Sequence, residues 1–211
     1  MISELNFITM LVVMAVTVIF YVKSVAPAAL EQKIGEIAYE KCAWYRKIAS
    51  LAFYLIFVNY VIYYFYPLST PLPNHFPWNY TLTASIATVI LIPSIYLMYR
   101  GVKDAGEETL TPKKEHTLYG GIYETVRHPQ ALGEVWVALI IALYLNSPLL
   151  ALISLFYFPA FYYFCIAEER DLVIRYGQDY IEYRNRTPMF IPRRKSAEPS
   201  ESTLSNDEIL G

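Results

Sequence analysis

Five apolar runs, each too long for an ordinary strand, leave this chain few folds to choose from. They are residues 5–22, 48–66, 80–99, 131–145 and 149–167, and within them no lysine, arginine or aspartate occurs and Glu134 is the single glutamate. A hydrocarbon core about 30 Å thick is crossed by roughly 20 residues of helix. Lipid cannot satisfy backbone polar groups, and the runs show no period-two alternation, so helices rather than strands are expected. A hydrophobic share of 55% and a mean hydropathy of +0.31 agree with the membrane class. The expected fold is therefore all-α: a polytopic transmembrane helical bundle of about five spans. The start, Met1-Ile-Ser-Glu, lacks the basic region of a signal peptide, so the first run reads as a retained span. Asn146-Ser147-Pro148 is turn chemistry, with Pro148 suited to the first turn of a helix. The last two runs should form a helical hairpin over 131–167.

The net charge of −2 conceals a strict segregation. Lys23, Lys33, Lys41, Arg46 and Lys47 fall in the first loop; Arg100, Lys103, Lys113, Lys114 and Arg127 fall in the third. Arg170, Arg175, Arg184, Arg186, Arg193, Arg194 and Lys195 follow the last run, and these complete the 17 basic residues. The N-terminal tail, the loop 67–79 and the turn 146–148 carry none. The positive-inside rule then predicts a multi-pass protein with its N-terminus outside and its C-terminus in the cytoplasm. Residues 31–47 space Ile34, Ile37, Ala38 and Tyr45 as a weakly amphipathic helix, with Trp44 and Tyr45 suited to the interface. His75 sits in the external loop as a surface residue. The polar stretch 196–211 is expected to be disordered. The division that follows is three N-terminal spans over 1–99 with a cytoplasmic loop 23–47, a catalytic region over 100–195, and the tail. Cys42 and Cys165 form no CxxC pair and give no disulfide framework.

Chemistry concentrates in one segment, residues 116–134. It holds His116, Tyr119, Tyr123, Arg127, His128, three glycines and Glu134, and it leads directly into the short fourth span. Pro129 excludes His128 from helical geometry and can begin the next helix. Arg127 and His128 then lie near that helix's positive end, where anions bind well. Glu134 lies about one turn into the membrane, where an ionisable side chain is a functional-site hypothesis by default. The blander reading makes Arg127 a headgroup anchor paired with Glu134. A second concentration is Glu168-Glu169-Arg170-Asp171 at the end of the last run. The short hairpin turn brings these carboxylates back toward Arg127 and His128. A third covers residues 175–192, where the stripe of Tyr176, Tyr180, Ile181 and Tyr183, broken at Gly177, predicts a helix–turn–helix over the cytoplasmic mouth, ending at Pro188.

Other chemistries lack their residues. There is no HExxH, no Cys/His cluster, no GxSxG elbow, no P-loop and no GxGxxG, so a metal site and a Rossmann-held nucleotide are not expected. The basic residues suit an anionic leaflet and need no nucleic acid.

In order, His116-x-Leu118, Gly121-Ile-Tyr123, Val126-Arg127-His128-Pro129, Gly133, Glu168-Glu169, Tyr176-Gly177-x-x-Tyr180-x-x-Tyr183 and Pro188 resemble the isoprenylcysteine carboxyl methyltransferase and phospholipid methyltransferase superfamily of integral membrane enzymes. The resemblance covers about residues 100–192. It implies a methyltransferase that uses S-adenosylmethionine at the cytoplasmic ends of the last two helices. A lipophilic small-molecule acceptor, carrying a carboxylate, amine or thiol, would enter from the bilayer. Carried over by position, His116, Leu118, Tyr119, Tyr123, His128, Pro129, Gln130 and Glu168 would bind the cofactor. Arg127, His128 and Glu168 would form the catalytic group, and Glu134 and Glu169 would serve substrate or structure. Three departures stand out. Ala131 replaces a usual tyrosine, the stretch from His116 to Tyr123 is one residue short, and Phe164 stands where prenylcysteine methyltransferases carry an arginine thought to face the substrate carboxylate. Two rivals stay open. A membrane reductase related to sterol reductases, using NADPH, shares the Arg-His-Pro segment and the Tyr176-Gly-Gln-Asp179 pattern, but has paired tryptophans where Glu124-Thr125 stand here. A non-catalytic lipid-binding membrane protein of the same fold is the other.

Overall fold

In the computed structural model, which describes residues 1–109 and 120–192, the chain is a bundle of helices. The expected disordered stretch 196–211 lies outside the described residues, as do His116, Leu118 and Tyr119. In chain order the helices are α1 (Ile2–Ser24), α2 (Pro27–Ile34), α3 (Ile37–Phe65), α4 (Tyr80–Ala105), α5 (Pro129–Glu134), α6 (Val137–Tyr144), α7 (Pro148–Ser154), α8 (Tyr157–Tyr176) and α9 (Gln178–Arg186).

Four segments are long and apolar enough to cross a membrane: Ile2–Ser24, Ile37–Phe65, Tyr80–Ala105 and Pro148–Tyr176. The expected fourth span is the shorter Pro129–Tyr144. At 1.5 Å per residue its 16 residues extend roughly 24 Å, less than a hydrocarbon core needs. Along the four long segments, Val12, Leu51, Val89, Ile92 and Leu155 are more than half exposed. Such an apolar surface is what lipid contact requires. Toward the interior, Ala49, Ala52, Ala138, Ala142 and Ala160 are buried, letting backbones approach as small residues do between membrane helices. The core joins Met10, Met14, Ile56 and Tyr60 of the first half to Leu150, Tyr157, Phe161 and Phe164 of the second.

The region 31–47 differs from the expected single amphipathic helix. Gly35 adopts φ +76°, which only glycine takes without strain, and it splits the stretch between α2 and the first turns of α3. From Ile37 nothing interrupts the helix, so α3 runs 29 residues, roughly 44 Å, and its basic N-terminal turns extend past an apolar core.

The turn at 146–148 forms as its residues dictate. Asn146, which tolerates left-handed backbone, sits at φ +54°. The Ser147 amide donates to the Ala142 carbonyl at 3.0 Å, its hydroxyl caps α7 by accepting from the Leu150 amide, and Pro148 opens that helix. At the other end of the hairpin, α8 stops at Gly177 (φ +58°) and α9 follows as the expected helix–turn–helix. The closing strand of chain returns to the start of the hairpin: the Arg127 amide donates to the Pro188 carbonyl at 2.9 Å and the His128 amide to Met189 at 3.3 Å.

Candidate active site

At one end of the bundle the C-terminal ends of α1, α4 and α8 converge with the early turns of α3 and α5. Pro129 starts α5 and leaves His128 at its N-cap with non-helical backbone (φ −127°, ψ 60°). This geometry turns His128 inward, where it is buried, toward the end of α8. Its Nε2 lies 3.0 Å from Glu169 Oε1 and its Nδ1 lies 3.5 Å from Glu168 Oε2. Arg127 closes the cluster from the other side. Its Nε donates to Glu169 Oε1 at 2.8 Å, its Nη2 forms an ion pair with the same oxygen at 2.8 Å, and its Nη1 donates to the carbonyls of Arg184 and Thr187. The carboxylate that answers Arg127 is thus Glu169, not Glu134. Glu134 instead accepts from its helical neighbour Gln130, Nε2 to Oε1 at 2.9 Å, because residues four apart share a helix face.

Burial alone would push the His128 imidazole down. Hydrogen bonds to the Cys165 thiol and to Glu168 and Glu169 outweigh it and raise its pKa well above 6.5. His128 thus lies wedged between two carboxylates that favour its protonated form. Glu169 is spent on Arg127 and His128, with a side chain only 10% exposed, whereas Glu168 is 34% exposed and faces a cavity.

That cavity is polar. Its walls include Tyr123, His128, Glu168, Arg175, Tyr176 and Tyr180. Beside it, among the helices, is a second cavity of about 290 Å³, walled by Phe53, Phe57, Met98, Val137, Phe161 and Phe164. Tyr21, Arg46, Thr109, Gln130 and Glu134 line both, so the two chambers share a seam. Phe164 stacks on Tyr21 at 4.4 Å between ring centroids.

Of the residues singled out from sequence, Tyr123, Arg127, His128, Gln130, Ala131, Glu134 and Glu168 all reach the polar cavity. Glu169 holds the cluster from behind, and Pro129 is fully buried as the first residue of α5. Tyr123 is fixed from two sides: its hydroxyl donates to the Gly101 carbonyl at 3.2 Å, and the Tyr183 hydroxyl donates to its carbonyl at 2.7 Å. Burial raises the Tyr183 phenol to about 12, so it stays a donor.

Three residues have roles that the sequence did not show. Asp171 is buried and accepts from the amides of Ala28 and Ala29 at 3.1 and 2.8 Å, capping α2 from across the bundle. The signal was present, in a proline opening a helix after Ala26 and an acid inside the last helical segment, but the pairing spans most of the chain. Asp104 accepts from the Ile122 amide at 2.8 Å and from Arg100 at 3.1 Å, tying the segment before Arg127 to α4. Arg46, which served only to set orientation, lies on the seam and donates to the Thr109 carbonyl at 3.1 Å.

The architecture is that of a helical membrane protein enclosing a charged site beside an apolar chamber. Comparison narrows the class. Residues 82–179 match the phospholipid methyltransferase family. Methanethiol S-methyltransferase 2 of Bradyrhizobium diazoefficiens is 32% identical over 101 residues, covering 46% of this chain and 34% of that protein. Protein-S-isoprenylcysteine O-methyltransferase of Saccharomyces cerevisiae is 32% identical over 126 residues, covering 54% of this chain and 53% of the relative. The chain thus spans between about a third and about half of the length of these relatives. No solved structure matches. Together these matches support the membrane methyltransferase superfamily that the motifs resemble.

Proposed function

We propose that this chain is an integral membrane methyltransferase that uses S-adenosylmethionine and methylates a lipophilic acceptor. The carrying observation is the pair of cavities with one seam: a polar chamber at the charged helix ends and an apolar chamber of about 290 Å³ among the helices. When bound, the cofactor supplies an electrophilic methyl group on a sulfonium. The polar chamber suits it, because Glu168 offers a carboxylate to a cationic group while Arg46 and Arg175 line the same walls opposite an anionic one. Tyr176 and Tyr180 add flat apolar faces. His116, Leu118 and Tyr119 would complete that chamber, as the resemblance implies.

Methyl transfer is an in-line displacement, so the chain has to align and to exclude water. His128 keeps Glu168 oriented toward the chamber, and Glu169 and Arg127 hold His128. Arg127 directs its bonded donors to Glu169 and to two carbonyl oxygens, so its role here is positioning. The aromatic chamber beyond the seam excludes water and takes the acceptor's apolar body. By their names one relative methylates sulfur and the other oxygen, so their names leave the acceptor's class undecided. The one-sided basic residues support an N-terminus outside and a site on the cytoplasmic side, where such a cofactor is available.

Equilibrium binding of S-adenosylmethionine to the full chain in detergent, measured by calorimetry, tests the proposal. Binding is expected, and Glu168→Gln and His128→Ala should each weaken it by at least about tenfold, some 1.4 kcal/mol, consistent with loss of one charge-assisted contact. Absence of binding, or binding of NADPH in its place, overturns the reading; unchanged affinity in both variants overturns the site.

A further inference from the structure

Glu134 is an ionisable residue of the membrane-embedded helices to which the reading above gives no part in holding the cofactor. It lies at the end of α5, on the seam between the two cavities. One carboxylate oxygen accepts from Gln130, and among the described residues no hydrogen bond is made by the other. A carboxylate placed inside a bilayer without a strong partner is costly and persists where it serves a purpose. Its neighbours at the seam are Arg46, Tyr21, Thr109 and Gln130, with Glu168 on the polar side. Glu168 is answered on the polar side by His128, whereas Glu134 and Arg46 are the charged groups among the described residues that line the apolar chamber. On the acceptor side the wall continues as Phe53, Phe57, Phe161 and Phe164, with Val137 and Met98, none of which carries a charge.

We propose that Glu134 accepts the acceptor's proton, and that the acceptor is a nucleophile carrying a proton on the attacking atom, a thiol or an amine, on an apolar body. This rests on the methyl-transfer reading above and adds the substrate class to it. An ionised carboxylate acceptor carries no such proton and would set a second negative group beside Glu134 in the apolar chamber. A thiol or neutral amine meets Glu134 as a hydrogen-bond donor, which also aligns its lone pair toward the polar chamber. The lone pair forms the new bond to the methyl carbon. The carbon–sulfonium bond breaks with its electron pair left on sulfur, and the proton of the attacking atom passes to the Glu134 carboxylate. Release to water through the polar chamber restores the carboxylate.

Octanethiol, octylamine and octanoate, equal in chain length, are the probes, offered to the full chain in lipid nanodiscs with labelled S-adenosylmethionine. Transfer to octanethiol or octylamine but not to octanoate is expected. Glu134→Gln should bind S-adenosylmethionine by calorimetry as the unaltered chain does, yet lose ~10²-fold in kcat/KM, the usual worth of a positioned base. Its remaining rate should climb with pH as the acceptor loses its proton unaided, whereas Glu134→Asp should recover part of the rate and the unaltered pH profile. Transfer to octanoate alone or to none of the probes overturns the proposal, as does a Glu134→Gln chain with undiminished rate or unaltered pH profile. The calorimetric arm separates this failure from that of the broader reading: cofactor binding without the expected transfer sinks the role of Glu134, whereas absence of cofactor binding sinks both.

Discussion

His128 shows how much one residue's neighbours decide. Alone at the start of a helix it would be a weak base near neutrality; here Cys165, Glu168 and Glu169 hold its proton against the opposing effect of burial. Its pKa is raised in the folded chain, so above pH 6.5 the unfolded form sheds a proton that the folded form keeps. Its contribution to stability is accordingly complete below pH 6.5 and is lost as the pH rises toward the folded value. Thermal unfolding in detergent should show stability falling above pH 6.5, by at most about 1.4 kcal/mol per pH unit for this one proton. A His128→Gln chain should lack that component of the slope; an equal slope in both chains would refute the pairing. The arginine–histidine–proline triplet marked this residue in the sequence. That Glu169 rather than Glu134 answers Arg127 was not legible, because the choice depends on how α8 is rotated against α5.

At the level of elements, the position of α5 is set by how closely it approaches α4. A Cβ on Gly133 would stand 2.6 Å from the Ser94 carbonyl oxygen and 3.0 Å from the Met98 amide nitrogen, and a backbone cannot yield as a flexible side chain can. Gly133→Ala should therefore force the two helices apart and destabilise the chain by about 1–3 kcal/mol in thermal unfolding, the usual range for overfilling a tight contact. Because α5 carries Gln130 and Glu134, acceptor turnover should fall with it. Among the described residues a Cβ on Gly120 meets nothing nearer than the far end of Glu124 at 3.9 Å, so Gly120→Ala should leave stability unchanged and is the control. The glycine was visible in the motif, and its reason was not. Likewise, the turn at 146–148 could be read directly from Asn146, Ser147 and Pro148, since local chemistry is sufficient there. The cap of α2 by Asp171 could not, since the partners lie over 140 positions apart.

For the whole molecule, orientation is the property on which the proposed chemistry depends. A cysteine placed at exposed Ser69 should react with a membrane-impermeant thiol reagent in intact cells, and one at exposed Lys103 only after permeabilisation. The native thiols, Cys42 and Cys165, are buried and should contribute little background. The opposite labelling pattern would invert the topology and remove the site from the cytosolic cofactor supply. The sequence by itself determined what depends on local composition: which segments are apolar helices, where they turn, and that basic residues keep to alternate loops. These follow from the cost of unsatisfied backbone and of charge in hydrocarbon, which each residue meets regardless of its partners. Only the tertiary structure decided that Glu169 holds Arg127 while Glu168 faces the chamber, that α5 presses on α4, and that Glu134 lies where two cavities meet. Those outcomes depend on rotations and close approaches between helices distant in the chain, for which hydropathy carries no signal.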